Sequence, residues 1–157
     1  MTGDTDAAAL QELLDSSPAT ADSLLPLLQR VQQRFGFVSP AAIRAVAETL
    51  NLSRADVYGV VTFYGDFRET PVGRHVVQLC MAEACQAMGC RALARHAETA
   101  LGVAMGESTP DGQVHLEAAY CFGNCALGPS VRIGDRVHGT VDTARFDALV
   151  AALRGAP

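Results

Sequence analysis

Apolar positions in the first seventy residues recur at helical spacing. Leu24, Leu28, Val31 and Phe35 fall at i, i+4, i+7 and i+11, one stripe of an amphipathic helix. Ile43, Val46, Ala47 and Leu50 make a second stripe, and Val57, Val60, Val61 and Tyr64 a third. These stripes predict core packing. The residues between them are those of helix ends. Asp4 or Thr5 is placed to cap a first helix running to about Leu14. Asp22 or Ser23 is expected to cap the next, with Pro26 in its tolerant first turn. Gly36 ends that helix and Ser39-Pro40 restarts the chain with a cap and an N-terminal proline. Asn51 stops the third helix, and Ser53 caps a fourth.

The texture changes at "RETPVGRH", residues 68–75, where Pro71 and Gly73 break the helical period. "HVVQLC" suits a short buried strand. "CQAMGCRALARHAETALG" suits a helix interrupted near Gly89, and "QVHLEAAY" alternates as a strand does. "SVRIGDRVHGTV" predicts a hairpin around Gly134-Asp135. "DTARFDALVAALR" predicts a final helix capped by Asp142, with Phe146, Leu149, Val150 and Leu153 on one face. The pattern therefore divides the chain into a helical domain over 1–70 and an α/β domain over 71–157. The second domain's order, β-α-β-β-β-α, is close to thioredoxin-like topology.

Composition narrows the function classes. Of 157 residues, 49% are apolar and 18% charged, which is globular rather than disordered. The net charge of −5 leaves no basic stripe to neutralise phosphates, which argues against a nucleic-acid partner. All twelve basic residues are arginine, a bias we ascribe to a GC-rich genome. The acidic start "MTGDTDAAALQELLDSS" is not expected to act as a secretory signal, and no apolar run reaches eighteen residues. A cytoplasmic protein without direct membrane contact is expected, and there clustered cysteines bind metal more often than they form disulfides.

Four cysteines carry the chemistry: Cys80-x4-Cys85, then thirty-five residues, then Cys121-x3-Cys125. Two close pairs separated by a helix and a strand can meet at one end of a sheet. A zinc ribbon favours C-x2-C pairs, although wider pairs are permitted. A thioredoxin-type redox pair needs C-x-x-C, which is absent. Two disulfides would leave one of five cysteines over. A 2Fe–2S cluster takes two thiolates per iron, and the wider x4 and x3 loops can supply one pair to each. Cys85 is expected near a helix N-terminus, where free N–H groups favour negative charge. Gly123 would let backbone amides approach sulfur, and Glu83 is expected in a solvent-facing loop. Cys90 lies five residues after Cys85, roughly 140° further round an ideal helix, so it should point away from the pair and be buried. Met81 and Met88 are expected to pack. The histidines His75, His96, His115 and His138 lack metal-ligand spacing.

The chain resembles the thioredoxin-like 2Fe–2S subunits of NADH dehydrogenases and related enzymes, from about Leu24 to Leu153. The likeness rests on "LLPLLQRVQQRFGFVSPAAIRAVAETLNLSRADVYGVVTFYGDF", "GRHVVQLCMAEACQ" and "YCFGNCALGPSVRIGDRVHG". It implies an α/β fold, with an N-terminal helical bundle followed by a thioredoxin-like 2Fe–2S ferredoxin domain. It also implies cluster ligation by Cys80, Cys85, Cys121 and Cys125, and by analogy a cis peptide before Pro129. Three homes are implied: respiratory complex I, NAD-linked hydrogenases and soluble NAD-dependent formate dehydrogenases. "NLSRADVYGVVTFYGDFR", "PVGRHVVQLCMAEACQ" and "DGQVHLEAAYCFGNCALGPSV" are most similar to the formate dehydrogenase gamma subunit.

Such a subunit would itself be non-catalytic. Its partners would be an FMN- and NAD-binding flavoprotein (beta) subunit and a molybdenum-containing catalytic (alpha) subunit. Electrons would pass from formate at molybdenum through iron–sulfur clusters to FMN, and from there as hydride to NAD⁺. The helical domain is the candidate docking surface. Phe63, Tyr64 and Phe67 are expected to pack in its core, with partner contact as the alternative. A zinc-binding interaction module is the competing reading of the same four thiols.

Overall fold

A computed structural model describes residues 6–154. The chain divides into two compact units, 1–71 and 72–157. In the first, helices α1 (Ala7–Asp15), α2 (Leu24–Phe35), α3 (Pro40–Leu50) and α4 (Arg54–Phe63) enclose an apolar core. Leu28, Val31, Val46 and Val57 are fully buried there, joined by Leu10, Leu14 and Leu27. Ser39 and Ser53 cap α3 and α4 as expected, each accepting from the backbone N–H three residues on at 3.1 Å. Gly36 and Asn51 end α2 and α3 in left-handed conformations.

The expected caps at Asp4 or Thr5 lie outside the described residues; Asp6 caps α1, accepting from Ala8 N at 3.0 Å. The expected cap of α2 is corrected. A tight helical turn at Ala21–Ser23 runs into α2, so Ser23 is already helical and makes no capping bond. A cap residue needs an extended backbone, which Thr20 has here. The aromatic expectation is corrected too. Phe63 is 79% exposed and Tyr64 44% exposed, while only Phe67 leans on the core. The three rings stack edge to face, with centroids 5.0 and 6.3 Å apart.

The second unit holds one four-stranded sheet in the order β2-β1-β3-β4, from β1 (His75–Cys80), β2 (Val114–Ala119), β3 (Val131–Ile133) and β4 (Arg136–His138). β1 runs parallel to β2 and antiparallel to β3, and β3 and β4 form the predicted hairpin. This is the thioredoxin-like arrangement. Alternation along the strands sends Val77, Leu79, Val114, Leu116 and Val131 to one face. There they meet Leu93, Ala97 and Leu101 of α6 (Cys90–Leu101) and Phe146 and Val150 of α7 (Thr143–Arg154). Asp142 caps α7 as expected, accepting from Arg145 N at 2.8 Å. Gly73 passes so close to β2 that an added Cβ would lie 2.7 Å from the Val114 carbonyl carbon, so no side chain fits there. Among the described residues no helix is long and apolar enough to cross a membrane.

Candidate metal centre

β1, an inner strand of the sheet, ends at Cys80. The chain turns at once into the short helix α5 (Glu83–Ala87), whose third residue is Cys85. Glu83 is the exposed first residue of that helix rather than a loop residue. Cys80 and Cys85 are both buried, at 3% and 2% exposure. Cys121 and Cys125 follow β2 in a loop that reaches a tight turn at Cys125–Leu127, and both are exposed. The loop is shaped by two left-handed residues, Cys121 at φ 72° and Gly123 at φ 78°. Glycine meets that demand freely; a cysteine meets it only under strain.

The sulfurs of Cys121 and Cys125 are 3.7 Å apart, far beyond a disulfide bond of about 2.05 Å. Two thiolates on one tetrahedral ion with metal–sulfur bonds near 2.3 Å would lie about 3.8 Å apart, so this pair is already spaced for a shared metal. All five cysteines are free. Gly123 N donates to Cys121 Sγ at 3.4 Å, as an amide aimed at a cluster sulfur would.

Cys80 joins the two halves. Burial acts on it most strongly and opposes ionisation. The Ala82 N–H, the Cys85 thiol, and the Cys121 and Phe122 N–H groups together overcome it, and hold the thiol below its ordinary pKa. Burial pushes the Cys85 thiol up, as does its hydrogen bond to Cys80. Cys125 is pushed up by its bond to Cys121 and by the like charge there. Metal binding at these thiols would require their deprotonated form. Among the described residues, no three His, Cys, Asp or Glu side chains converge on a single ion. The donors stand as two pairs, Cys80 with Cys85 and Cys121 with Cys125.

Gly128 closes one side. A Cβ there would stand 3.0 Å from Met88 Sδ and 3.4 Å from Cys85 Sγ. The Gly128–Pro129 peptide is cis. Met88 is 47% exposed, so its expected packing is partial, whereas Met81 packs against both the thiol cluster and the sheet core.

Cys90 departs from expectation. It is buried, at 1%, but it packs against Cys80 and Cys85 instead of pointing away. One continuous helix would have turned it aside. Gly89, at φ 92°, ends α5's turn and starts α6 in a new direction, which returns Cys90 to the cluster. Burial pushes its thiol up, and repulsion from Cys80 adds to that. Of the histidines, His96 pairs with Asp147 at 2.7 Å, and His115 Nδ1 meets Ser108 Oγ at 2.9 Å. Two residues beside the site were missed in the sequence, Phe122 and Arg132. Phe122 lies within the Cys-x3-Cys spacing without a signal of its own, Arg132 lies on β3, and only the fold brings them together.

The chain is similar to several known proteins. A family model described as thioredoxin-like [2Fe-2S] ferredoxin matches residues 10–154. An NADH-quinone oxidoreductase subunit of Rhizobium meliloti is 38% identical over 139 residues, covering 88% of this chain and 83% of the relative. NADP-reducing hydrogenase subunit HndA of Solidesulfovibrio fructosivorans is 31% identical over 140 residues, covering 89% and 82%. A crystal structure of NAD+-reducing [NiFe]-hydrogenase in the H2-reduced state shares the fold, with a TM-score of 0.77 at 24% identity. The match covers 89% of this chain but only 24% of that one.

Proposed function

The chain belongs to the thioredoxin-like 2Fe–2S ferredoxin family, and from that premise we propose that Cys80, Cys85, Cys121 and Cys125 hold its 2Fe–2S cluster. The chain is then the electron-transfer subunit of an NAD(P)-linked dehydrogenase or hydrogenase complex, and is not itself a catalyst. The observation that carries the ligand assignment is the arrangement of the thiols as two pairs, one with its sulfurs 3.7 Å apart. A bound 2Fe–2S cluster supplies reversible one-electron transfer. The chain's part is to place it. Cys80 at the end of β1 and Cys85 in α5 anchor one side, Gly123 and Phe122 aim N–H groups at sulfur, and the exposed Cys121 and Cys125 leave one edge open to a partner.

The partner in this reading is a flavoprotein subunit that carries FMN and binds NAD(H). The exposed rings of Phe63 and Tyr64 support docking through the helical unit. The finer assignment is a cytoplasmic, molybdenum-containing NAD-dependent formate dehydrogenase, with a catalytic alpha subunit upstream of the flavoprotein. It rests on the residues around the ligands, such as "LCMAEACQ" and "YCFGNCALGPSV". The equivalent subunits of complex I or a hydrogenase are the alternatives, and formate-dependent reduction of the cluster in the purified complex separates them.

The direct test is an EPR spectrum of the dithionite-reduced, anaerobically purified chain, with iron and sulfide assayed on the same sample. About two irons, about two sulfides and an S = 1/2 signal per chain are expected of one such cluster. One zinc, no sulfide and no signal would establish the zinc-binding module instead.

A further inference from the structure

The sheet face opposite α6 and α7 carries a row of polar side chains that crosses three strands and ends on the second cysteine loop. Ser108 Oγ meets His115 Nδ1 at 2.9 Å, and His115 Nε2 lies 3.5 Å from Glu117 Oε2. Gln78 Nε2 donates to Glu117 Oε1, and Arg132 Nε donates to Gln78 Oε1. Register accounts for the row: Gln78 sits opposite Glu117 on one side and Arg132 on the other. Gln78 and His115 are 7% and 8% exposed, so the middle of the row is enclosed, while Glu117 and Arg132 are partly buried and Ser108 at its far end is exposed. It ends where the Arg132 guanidinium lies over the Phe122 ring, 5.3 Å from its centroid. That is within the range of a cation–π contact.

Phe122 belongs to both halves of the thiol site. Its backbone lies between Cys121 and Cys125, and its N–H faces Cys80. Its side chain packs on the buried cluster of Cys80, Cys85 and Cys90. The loop around it contains the left-handed Cys121 and Gly123, a shape that needs support from outside the loop.

We propose that Arg132, aligned by Gln78, is a positioning residue for the iron–sulfur centre, clamping Phe122 against the buried thiols and so holding the Cys121–Cys125 loop ready for metal. This rests on the cluster assignment above. Arg132 acts in two separable ways. Its flat guanidinium stacks on the ring, which lysine does not reproduce. Its positive charge favours the reduced, more negative centre, and lysine keeps that charge.

The test uses the full chain with its cluster, and reads two quantities: the rate of iron release to a chelator, and the midpoint potential followed by EPR. R132Q is expected to release iron about three- to tenfold faster and to have a lower potential. R132K should release iron faster than the unmodified chain while keeping its potential. The double variant R132Q/F122L should release iron no faster than F122L alone, because both changes act through one contact. R136Q, which removes an exposed charge from β4, should change neither quantity. Should R132Q fail to fold, R132K carries the test.

Unchanged release from R132Q, additive effects in the double variant, or an equal effect from R136Q would overturn the clamp. So would a lower potential without faster release, which would leave a charge effect alone. An unmodified chain without the S = 1/2 signal and without sulfide would remove the cluster assignment itself, and the clamp with it. A normal unmodified chain beside an unaffected R132Q would remove the clamp only.

Discussion

The two thiol pairs are built in opposite ways. Cys80 and Cys85 sit at the end of a core strand and in the helix after it, buried among Met81, Ala82, Phe122 and Cys90. Their positions are inherited from the packing of the whole sheet. Cys121 and Cys125 stand exposed on a loop, and their spacing is set by local backbone: a left-handed Cys121, a left-handed Gly123 and a tight turn at Cys125–Leu127. A centre shared by both pairs therefore depends on two kinds of order. One fails only with the fold, and the other can fail alone.

The largest expected effect comes from removing a thiol. Cys121→Ala should abolish the 2Fe–2S EPR signal and most bound iron. Cys90→Ala should leave both nearly intact although Cys90 is buried against the same pair. The opposite result would reassign the ligands. Phe146→Ala attacks the buried pair through its support, since Phe146 is fully buried beneath the sheet that carries Cys80. A loss of about 3–5 kcal/mol is expected in denaturant unfolding of the α/β unit. Cluster loss should track unfolding rather than precede it.

Gly123→Ala attacks the exposed pair alone. An added Cβ meets nothing within 4 Å, so the cost is the left-handed backbone itself, about 1–2 kcal/mol. It should appear as faster iron release, with an unfolding midpoint lowered by less than in Phe146→Ala. A shift as large as that of Phe146→Ala would erase the distinction between the pairs.

The smallest effect concerns pH. Burial lowers the pKa of His138, and the nearby Arg136 and Arg145 lower it further. Below its unfolded value of 6.5 the unfolded chain takes up this proton more readily than the folded one. Stability from this group is therefore full above pH 6.5 and declines as pH falls through the lower, folded value. His138→Gln should flatten that part of the stability profile. Since His138 is only partly buried, the change should be small. An increase in stability on acidification through this range, lost in the variant, would contradict the assigned direction.

Much of the helical unit is legible in the sequence because its signals are local. Ser39, Ser53, Gly36 and Asn51 act within one turn of themselves, and the apolar stripes state which faces are buried. Ser23 fails as a cap because the preceding residues had already begun to turn, a choice that depends on how the loop meets the helix. Phe63 and Tyr64 fail as core residues because helical spacing gives a face but not how far the core extends along it.

The site divides along the same line. Sequence alone determined the four thiols, their pairing by spacing, the break at Gly89 and the glycine between Cys121 and Cys125. Each is a matter of residue type and short-range geometry. Tertiary structure decided that Cys90 returns to the cluster, that one pair is buried and the other exposed, and that Arg132 lies over Phe122. Those facts depend on strand register and on the direction the chain takes after each break. Alternation within each strand marks the polar face, but only the pairing of β1 with β3 sets Arg132 beside Gln78.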